Sequence, residues 1–249
     1  MLTLYEEQYP TSLDTAVSHA LLRMAADGHH PESLRLYRPD DVVAFGKRDV
    51  VTDGFTKAVE SAAGSGFASV IRMAGGRAAV FHRETIAFAW TIPTPTPRDA
   101  ISERFARLSG LLVEAFRDLG ADARIGEIPG EYCPGEFSVN IGGSTKVMGV
   151  GQRLIAGAAH VGGVIVVDHG ARIADVLVPV YRDLGLEWDP HTSGDLASAV
   201  PGLTWSDVHE AVLRSFRGIA DIEQATMPDQ VLRRARDLEP QHRPMANSQ

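Results

Sequence analysis

The chain has 249 residues, 44% apolar and 22% charged, the balance of a globular rather than a disordered protein. Its 24 lysines and arginines against 32 aspartates and glutamates give a formal charge of −8, which argues against nucleic-acid binding, an affinity built on phosphate neutralisation. A single cysteine excludes an intrachain disulfide framework and a thiolate zinc site, and no run approaches the ~18–20 apolar residues of a membrane helix.

The first ten residues are acidic and lack a basic stretch ahead of an apolar run, so no signal peptide is expected. With one thiol, a reducing cytoplasm is the expected compartment. Leu13, Ala16, Val17, Ala20, Leu21 and Met24 recur at helical spacing before Gly28, predicting a helix over 11–27. Ser33–Tyr37 and Val42–Phe45 read as short strands about the turn at 38–41. A helix over Phe55–Ala63 and strands over Ala68–Arg72 and Thr85–Ile92 follow. The helix expected over Asp99–Leu119 carries an apolar stripe of Ile101, Phe105, Leu108, Leu112, Ala115, Phe116 and Leu119.

Phe137, Val139 and Ile141 alternate with Ser138 and Asn140, the period of a strand. Gly142-Gly143-Ser144 reads as a turn, followed by strands over Lys146–Leu154 and Val161–Val167. A short helix over Ile173–Val180, a connector over 181–203, and helices over Trp205–Arg217 and Gln230–Asp237 complete the reading. The expected class is α+β, with a mixed, mostly antiparallel sheet flanked by helices. The expected division is a domain over 1–190, a helical segment over 191–240 and an unordered tail over 241–249.

Two segments stand apart. Arg72–His82 holds Gly75-Gly76 between two expected strands, where bare backbone can approach a ligand and arginines add charge. No G-K-[ST] follows, so it is not a P-loop. An ordinary turn is the other reading. In the second segment Pro134 pushes Cys133 toward an extended conformation, and Pro134-Gly135 suits the centre of a type II turn. A lone cysteine there is either a small buried hydrophobe or a nucleophile. Lys146, after the Gly-Gly-Ser turn, is either solvated or a cation that favours the thiolate. A plain hairpin over 137–150 would leave Cys133 ~26 Å from the turn at Lys146. No histidine spacing suggests a metal site.

Together these segments resemble the biotin/lipoate protein ligase and octanoyltransferase superfamily. Val42-Val43-Ala44-Phe45-Gly46-Lys47, Arg72–His82 and the K-x-x-G-x-x-Q-R run at Lys146–Arg153 appear in the family's order. Tyr132-Cys133-Pro134-Gly135 is most similar to the cysteine-dependent octanoyl transferases, while the G-R-G-R-x-G-R and K-W-P-N-D signatures of biotin ligases are absent. The resemblance implies the family's catalytic fold, akin to class II aminoacyl-tRNA synthetases, over residues 1–190. It implies an acyltransferase in protein lipoylation in which Cys133 forms an acyl thioester and Lys146 lowers its pKa. Substrate would be bound by Arg72, Gly75, Gly76, Arg77, His82, Gly149 and Gln152. No metal and no tightly bound cofactor are implied; octanoate or lipoate is the transferred group. The donor would be acyl carrier protein or a glycine cleavage H protein-like carrier, and the acceptor a lipoyl domain of a 2-oxoacid dehydrogenase E2 subunit. Two alternatives stay open. One is a lipoate-protein ligase using ATP and Mg through lipoyl-adenylate. The other is a non-catalytic or accessory subunit of a split ligase.

Overall fold

A computed structural model describes residues 1–244, in which the chain runs through eleven strands and eight α-helices. In order these are β1 (Leu2–Tyr5), α1 (Thr11–Ala26), β2 (Ser33–Tyr37), β3 (Val42–Phe45), α2 (Lys47–Val50), α3 (Phe55–Gly64), β4 (Ala68–Ile71), β5 (Ala79–Phe81), β6 (Thr85–Pro93), α4 (Ile101–Asp118) and β7 (Ala123–Ile125). Then come β8 (Val139–Ile141), β9 (Thr145–Ile155), β10 (Ala158–Val166), α5 (Gly170–Asp183), α6 (Leu196–Ala199), α7 (Trp205–Arg217), β11 (Ile222–Gln224) and α8 (Asp229–Leu238).

The larger sheet has the order β11-β1-β2-β6-β10-β9-β8-β7. Only the β11–β1 and β1–β2 pairs are parallel; the rest are antiparallel. A three-stranded sheet, β4-β3-β5, stands beside it. The mixed, mostly antiparallel α+β architecture is therefore as expected.

Strand alternation divides the faces. Ile86, Phe88 and Trp90 of β6 enter a core with Leu108, Leu112 and Phe116 of α4 and Val208, Val212 and Phe216 of α7. The opposite face carries small residues: Ala87 and Ala89 of β6, and Gly162 of β10 opposite Gly151 of β9. These leave room for a cavity there. The smaller sheet packs Val43, Phe45 and Val80 against Ala58 and Ala62 of α3 and Ile173, Leu177 and Val180 of α5.

Helix α7 starts where its cap dictates. Thr204 Oγ accepts from the Asp207 N–H, and the Asp207 carboxylate accepts from the Thr204 N–H. Residues 191–240 also supply β11 to the larger sheet, and α8 packs Val231, Ala235 and Leu238 against α1. Gln241 and His242, placed in the expected tail, instead lie in a 3-10 turn over Glu239–His242. His242 is buried and bonds the Ile71 carbonyl at 2.7 Å. Residues 245–249 of that tail lie outside the described residues. Among the described residues no helix is long and apolar enough to cross a membrane.

Three expectations change. Ser33–Tyr37 and Val42–Phe45 are strands, but β2 joins the larger sheet and β3 the smaller. The strand expected over 137–141 shortens to β8, because Phe137 and Ser138 belong to a loop tied back by side chains. The helix expected over 173–180 runs from 170 to 183, through Pro179, carrying Tyr181 inward.

Candidate active site

Glu131 organises the loop between β7 and β8. Its side chain is fully buried, so each carboxylate oxygen needs partners. Oε1 accepts from Ser138 Oγ at 2.7 Å, Lys146 Nζ at 2.8 Å and the Gly135 N–H at 3.3 Å. Oε2 accepts from the Ile128 N–H at 3.1 Å. These bonds curl residues 128–138 back over the start of β9. The ~26 Å of extended chain that a plain hairpin implies is thereby removed.

Lys146 has three donors and uses all three. Besides Glu131, its ammonium donates to the carbonyls of Tyr132 and Cys133, each at 2.9 Å, and sits 4.8 Å from the Tyr132 ring centroid. It therefore reaches the backbone of Cys133, while the sulfur takes its hydrogen bonds elsewhere. The Cys133 N–H donates to Tyr181 Oη at 2.9 Å, and that hydroxyl donates to the Ala78 carbonyl at 2.9 Å. Held from both sides, Cys133 adopts φ +42°, not the extended conformation expected before Pro134. Such a conformation in a non-glycine residue costs on the order of 1–3 kcal/mol. Gly135 has no positive φ, so the expected type II turn does not form.

Sγ receives two donors: the Arg72 guanidinium at 3.2 Å and the Arg77 N–H at 3.2 Å. Arg72 follows the end of β4 and also donates to the Arg77 carbonyl at 2.6 Å. It thus fixes the glycine loop and the thiol with one group. Gly76 lies between them at φ +100°. A Cβ there would fall 2.3 Å from the Arg72 guanidinium and 2.8 Å from Sγ, so only glycine fits. Gly46 matters equally, since its Cβ would fall 2.0 Å from the Gly76 carbonyl oxygen. The Arg77 side chain turns away to Asp49 at 3.2 Å, whose other oxygen accepts from the Gly46 N–H at 2.8 Å.

Burial pushes the Cys133 thiol up. The Arg72 and Lys146 charges, with the hydrogen bonds from Arg77 N–H and Arg72, outweigh it and bring the group below its ordinary 9.0. The rate of alkylation by iodoacetamide, which follows thiolate, is expected to reach half-maximum below pH 9.0. Replacing Arg72 with glutamine removes the larger lowering charge and should move that midpoint up. An unchanged profile in Arg72→Gln would remove Arg72 from this role.

The thiol borders a cavity of about 570 Å³. Ile101 and Phe105 of α4, Phe81 of β5, and Gly149 and Gly151 of β9 form much of its wall and floor. Gly75, Gly76, Arg72, Lys146 and Gln152 also line it. Gln152 is held by α4, donating to the Ile101 carbonyl at 2.7 Å and accepting from Arg104 at 3.1 Å. A second cavity of about 100 Å³ lies toward α1 and shares Arg72, Phe81 and Gly163 with the first. His82 is not brought to the thiol. It is buried in the β5–β6 turn, where its Nδ1 accepts from the Glu84 N–H and burial lowers its pKa to about 4.

Four contributors escape the sequence reading: Glu131, Tyr181, Asp49 and the φ of Cys133. Glu131 is the one with a local signal, since a carboxylate two residues from the thiol lies in the Gly130–Gly135 turn region. Among the described residues no group of three or more His, Cys, Asp or Glu is placed to hold a metal ion.

The fold around this thiol is that of the lipoate protein ligases. Lipoate-protein ligase A, solved with ATP bound, superposes with a TM-score of 0.75 at 21% identity, covering 96% of this chain and 93% of that one. The bipartite lipoate protein ligase of Thermoplasma acidophilum, from a structural study that includes its E2 lipoyl domain, gives 0.72 at 20% identity, covering 96% and 91%. The chain belongs to the lipoyl protein ligase A/B catalytic domain family, whose model matches residues 11–217. Among curated relatives, the octanoyl-[GcvH]:protein N-octanoyltransferase of Geobacillus kaustophilus is 25% identical over 170 residues. That match covers 68% of this chain and 60% of the relative, less than two thirds of the relative's length.

Proposed function

We propose that this chain transfers an octanoyl or lipoyl group from a carrier protein to the lysine of a lipoyl domain, through a thioester on Cys133. The observation that carries this reading is the Cys133 sulfur, held by Arg72 and the Arg77 N–H at the edge of a 570 Å³ cavity. A thiol below its ordinary pKa supplies more of the reactive thiolate near neutrality. The likeness to octanoyl-GcvH-using transferases supports an H protein-like donor, and the lipoyl-domain partner of the Thermoplasma ligase supports the acceptor. A cytoplasmic setting would keep the thiol reduced.

In the first step the thiolate adds to the acyl carbonyl carbon. The C–N bond to the donor lysine breaks, the departing amine takes up a proton, and the thioester remains. In the second step a neutral acceptor lysine adds to the thioester carbon. The C–S bond breaks, the new amide loses a proton, and the thiolate returns to Arg72 and the Arg77 N–H. A leaving thiol of low pKa departs faster. One amide replaces another, so no nucleotide is consumed. Lys146, with all three N–H bonds committed, holds the Tyr132 and Cys133 carbonyls and adds positive charge; it is not the proton carrier. All of the residues given these roles fall within 1–190, which fits a catalytic domain over that span.

Intact-protein mass spectrometry with an octanoylated H protein and no ATP tests the reading. The expected result is a hydroxylamine-labile octanoyl adduct on Cys133. No adduct, together with lipoylation of a lipoyl domain once ATP, Mg and free lipoate are added, would make the chain a ligase and overturn the thioester.

A further inference from the structure

Among the described residues, cations without acidic partners gather on one side of the glycine loop. Arg23 of α1, Lys47 and Arg48 of α2, and Arg153 of β9 are exposed. Among the described residues no carboxylate oxygen lies within 4.0 Å of any of the four. Asp49, beside them in α2, is taken up by Arg77 and the Gly46 N–H. The chain as a whole carries −8, so this rim runs against the overall sign.

The rim leads to the thiol. A cleft of about 290 Å³ is lined by Lys47, Arg48 and Arg153 together with Gly75, Gly76 and Gln152. The last three also line the Cys133 cavity. A neighbouring cleft of about 120 Å³ adds Arg23 and the His19–His242 pair to Lys47 and Arg153. His19 reports the local field: burial first, then the His242 ring and the Arg23, Arg153 and Lys47 charges, lower its pKa to about 4.

We propose that this rim is the docking surface for the carrier domain that brings or accepts the acyl group, a domain presenting carboxylates around its acylated lysine. The inference rests on the acyl-transfer reading above. A site for a small anion would close buried donors around it. Here the four cations are exposed and spread over three elements, an arrangement suited to a broad acidic protein face. Such a surface steers encounter and sets register while the acyl-lysine arm enters between the loop and β9.

The test compares the wild-type chain with Lys47→Glu/Arg153→Glu by calorimetric titration against an octanoylated H protein of net negative charge. The wild type should bind at low ionic strength and weaken as salt rises. The double reversal should bind on the order of tenfold or more weakly and lose most of the salt dependence. Lys47→Gln/Arg153→Gln should fall between them. Acylation of Cys133 by the neutral thioester octanoyl-N-acetylcysteamine should be the same in all three, which shows that fold and chemistry are intact. Equal carrier affinity in the wild type and both variants would overturn the docking surface. So would weakened ATP binding with carrier affinity unchanged, which would give the cleft to a nucleotide. If neither donor acylates Cys133, the transfer reading falls, and the binding comparison still decides the docking surface.

Discussion

Replacing Cys133 by alanine is expected to lower acyl transfer by at least ~10³-fold while leaving the fold in place, because removing a covalent nucleophile removes the whole pathway through it. The conformation of the loop does not depend on the sulfur. Lys146 and Tyr181 hold the backbone oxygen and N–H of Cys133, and both bonds survive truncation. Arg72 keeps its bond to the Arg77 carbonyl. The urea midpoint should therefore move little. Transfer between an octanoylated H protein and a lipoyl domain, measured by gel shift or mass, reads the activity. Activity retained within tenfold of the wild type would show that Cys133 carries no acyl group.

The largest effect on stability is expected from Lys146→Met. Methionine fills the space of the lysine stem and supplies no charge and no donor. The Glu131 carboxylate, fully buried, would lose its cation, and the Tyr132 and Cys133 carbonyls would lose their donor. Breaking a buried ion pair from one side costs about 3–5 kcal/mol, because a charge is left without compensation. Urea unfolding followed by circular dichroism measures it. Glu131→Gln added to Lys146→Met should recover much of the loss, since removing both charges costs less than stranding one. Transfer should stay low in the double variant, where the loop is stable again and the lysine charge near the thiol is still missing. A double variant no more stable than Lys146→Met would show that the pair contributes by packing alone.

What could be read in the sequence depends on how local its cause is. Trp205–Arg217 is legible to the residue, because the Thr204–Asp207 cap and the Val208, Val212, Phe216 stripe lie within the segment itself. Leu2–Tyr5 and Ile222–Gln224 escape for the opposite reason: β1 is a strand only beside β2, and β11 only beside β1, more than 200 residues away. The same division holds at the site. Gly75-Gly76, Cys133 and Lys146 stand out as residue types, and the structure brings them around one cavity. The way they meet does not stand out. It depends on Glu131 drawing together three points of its loop and Lys146 of β9, and on Tyr181 arriving from a helix that continues past Pro179. His82 has the right type and the expected neighbours in sequence, yet the tight turn to Thr85 directs it away from the thiol.

The cavity floor has a consequence for how this chain can change. Gly149 and Gly151 in the cavity of the thiol, and Gly162, Ala87 and Ala89 in the smaller cavity beside it, are already among the smallest side chains available on that face of the sheet. A methyl at Gly149 would meet Lys146 Cε at 3.4 Å, an ordinary contact, so substitution there fills space at little cost. On that surface little can be removed to enlarge it: the Ala87 and Ala89 methyls, and the Val164 side chain of β10 opposite Gly149. Descendants of this sequence can therefore adapt to a shorter guest through a single change at Gly149, whereas a Cβ at Gly162 would fall 2.7 Å from the His160 ring and 2.9 Å from the Phe88 carbonyl oxygen. Room for a longer one has to come from Val164 or from the walls, at Phe81, Ile101 or Phe105. Variation in guest length is thus lopsided: contraction is open at a glycine of the base, and expansion draws on the few larger side chains of Val164 and the walls.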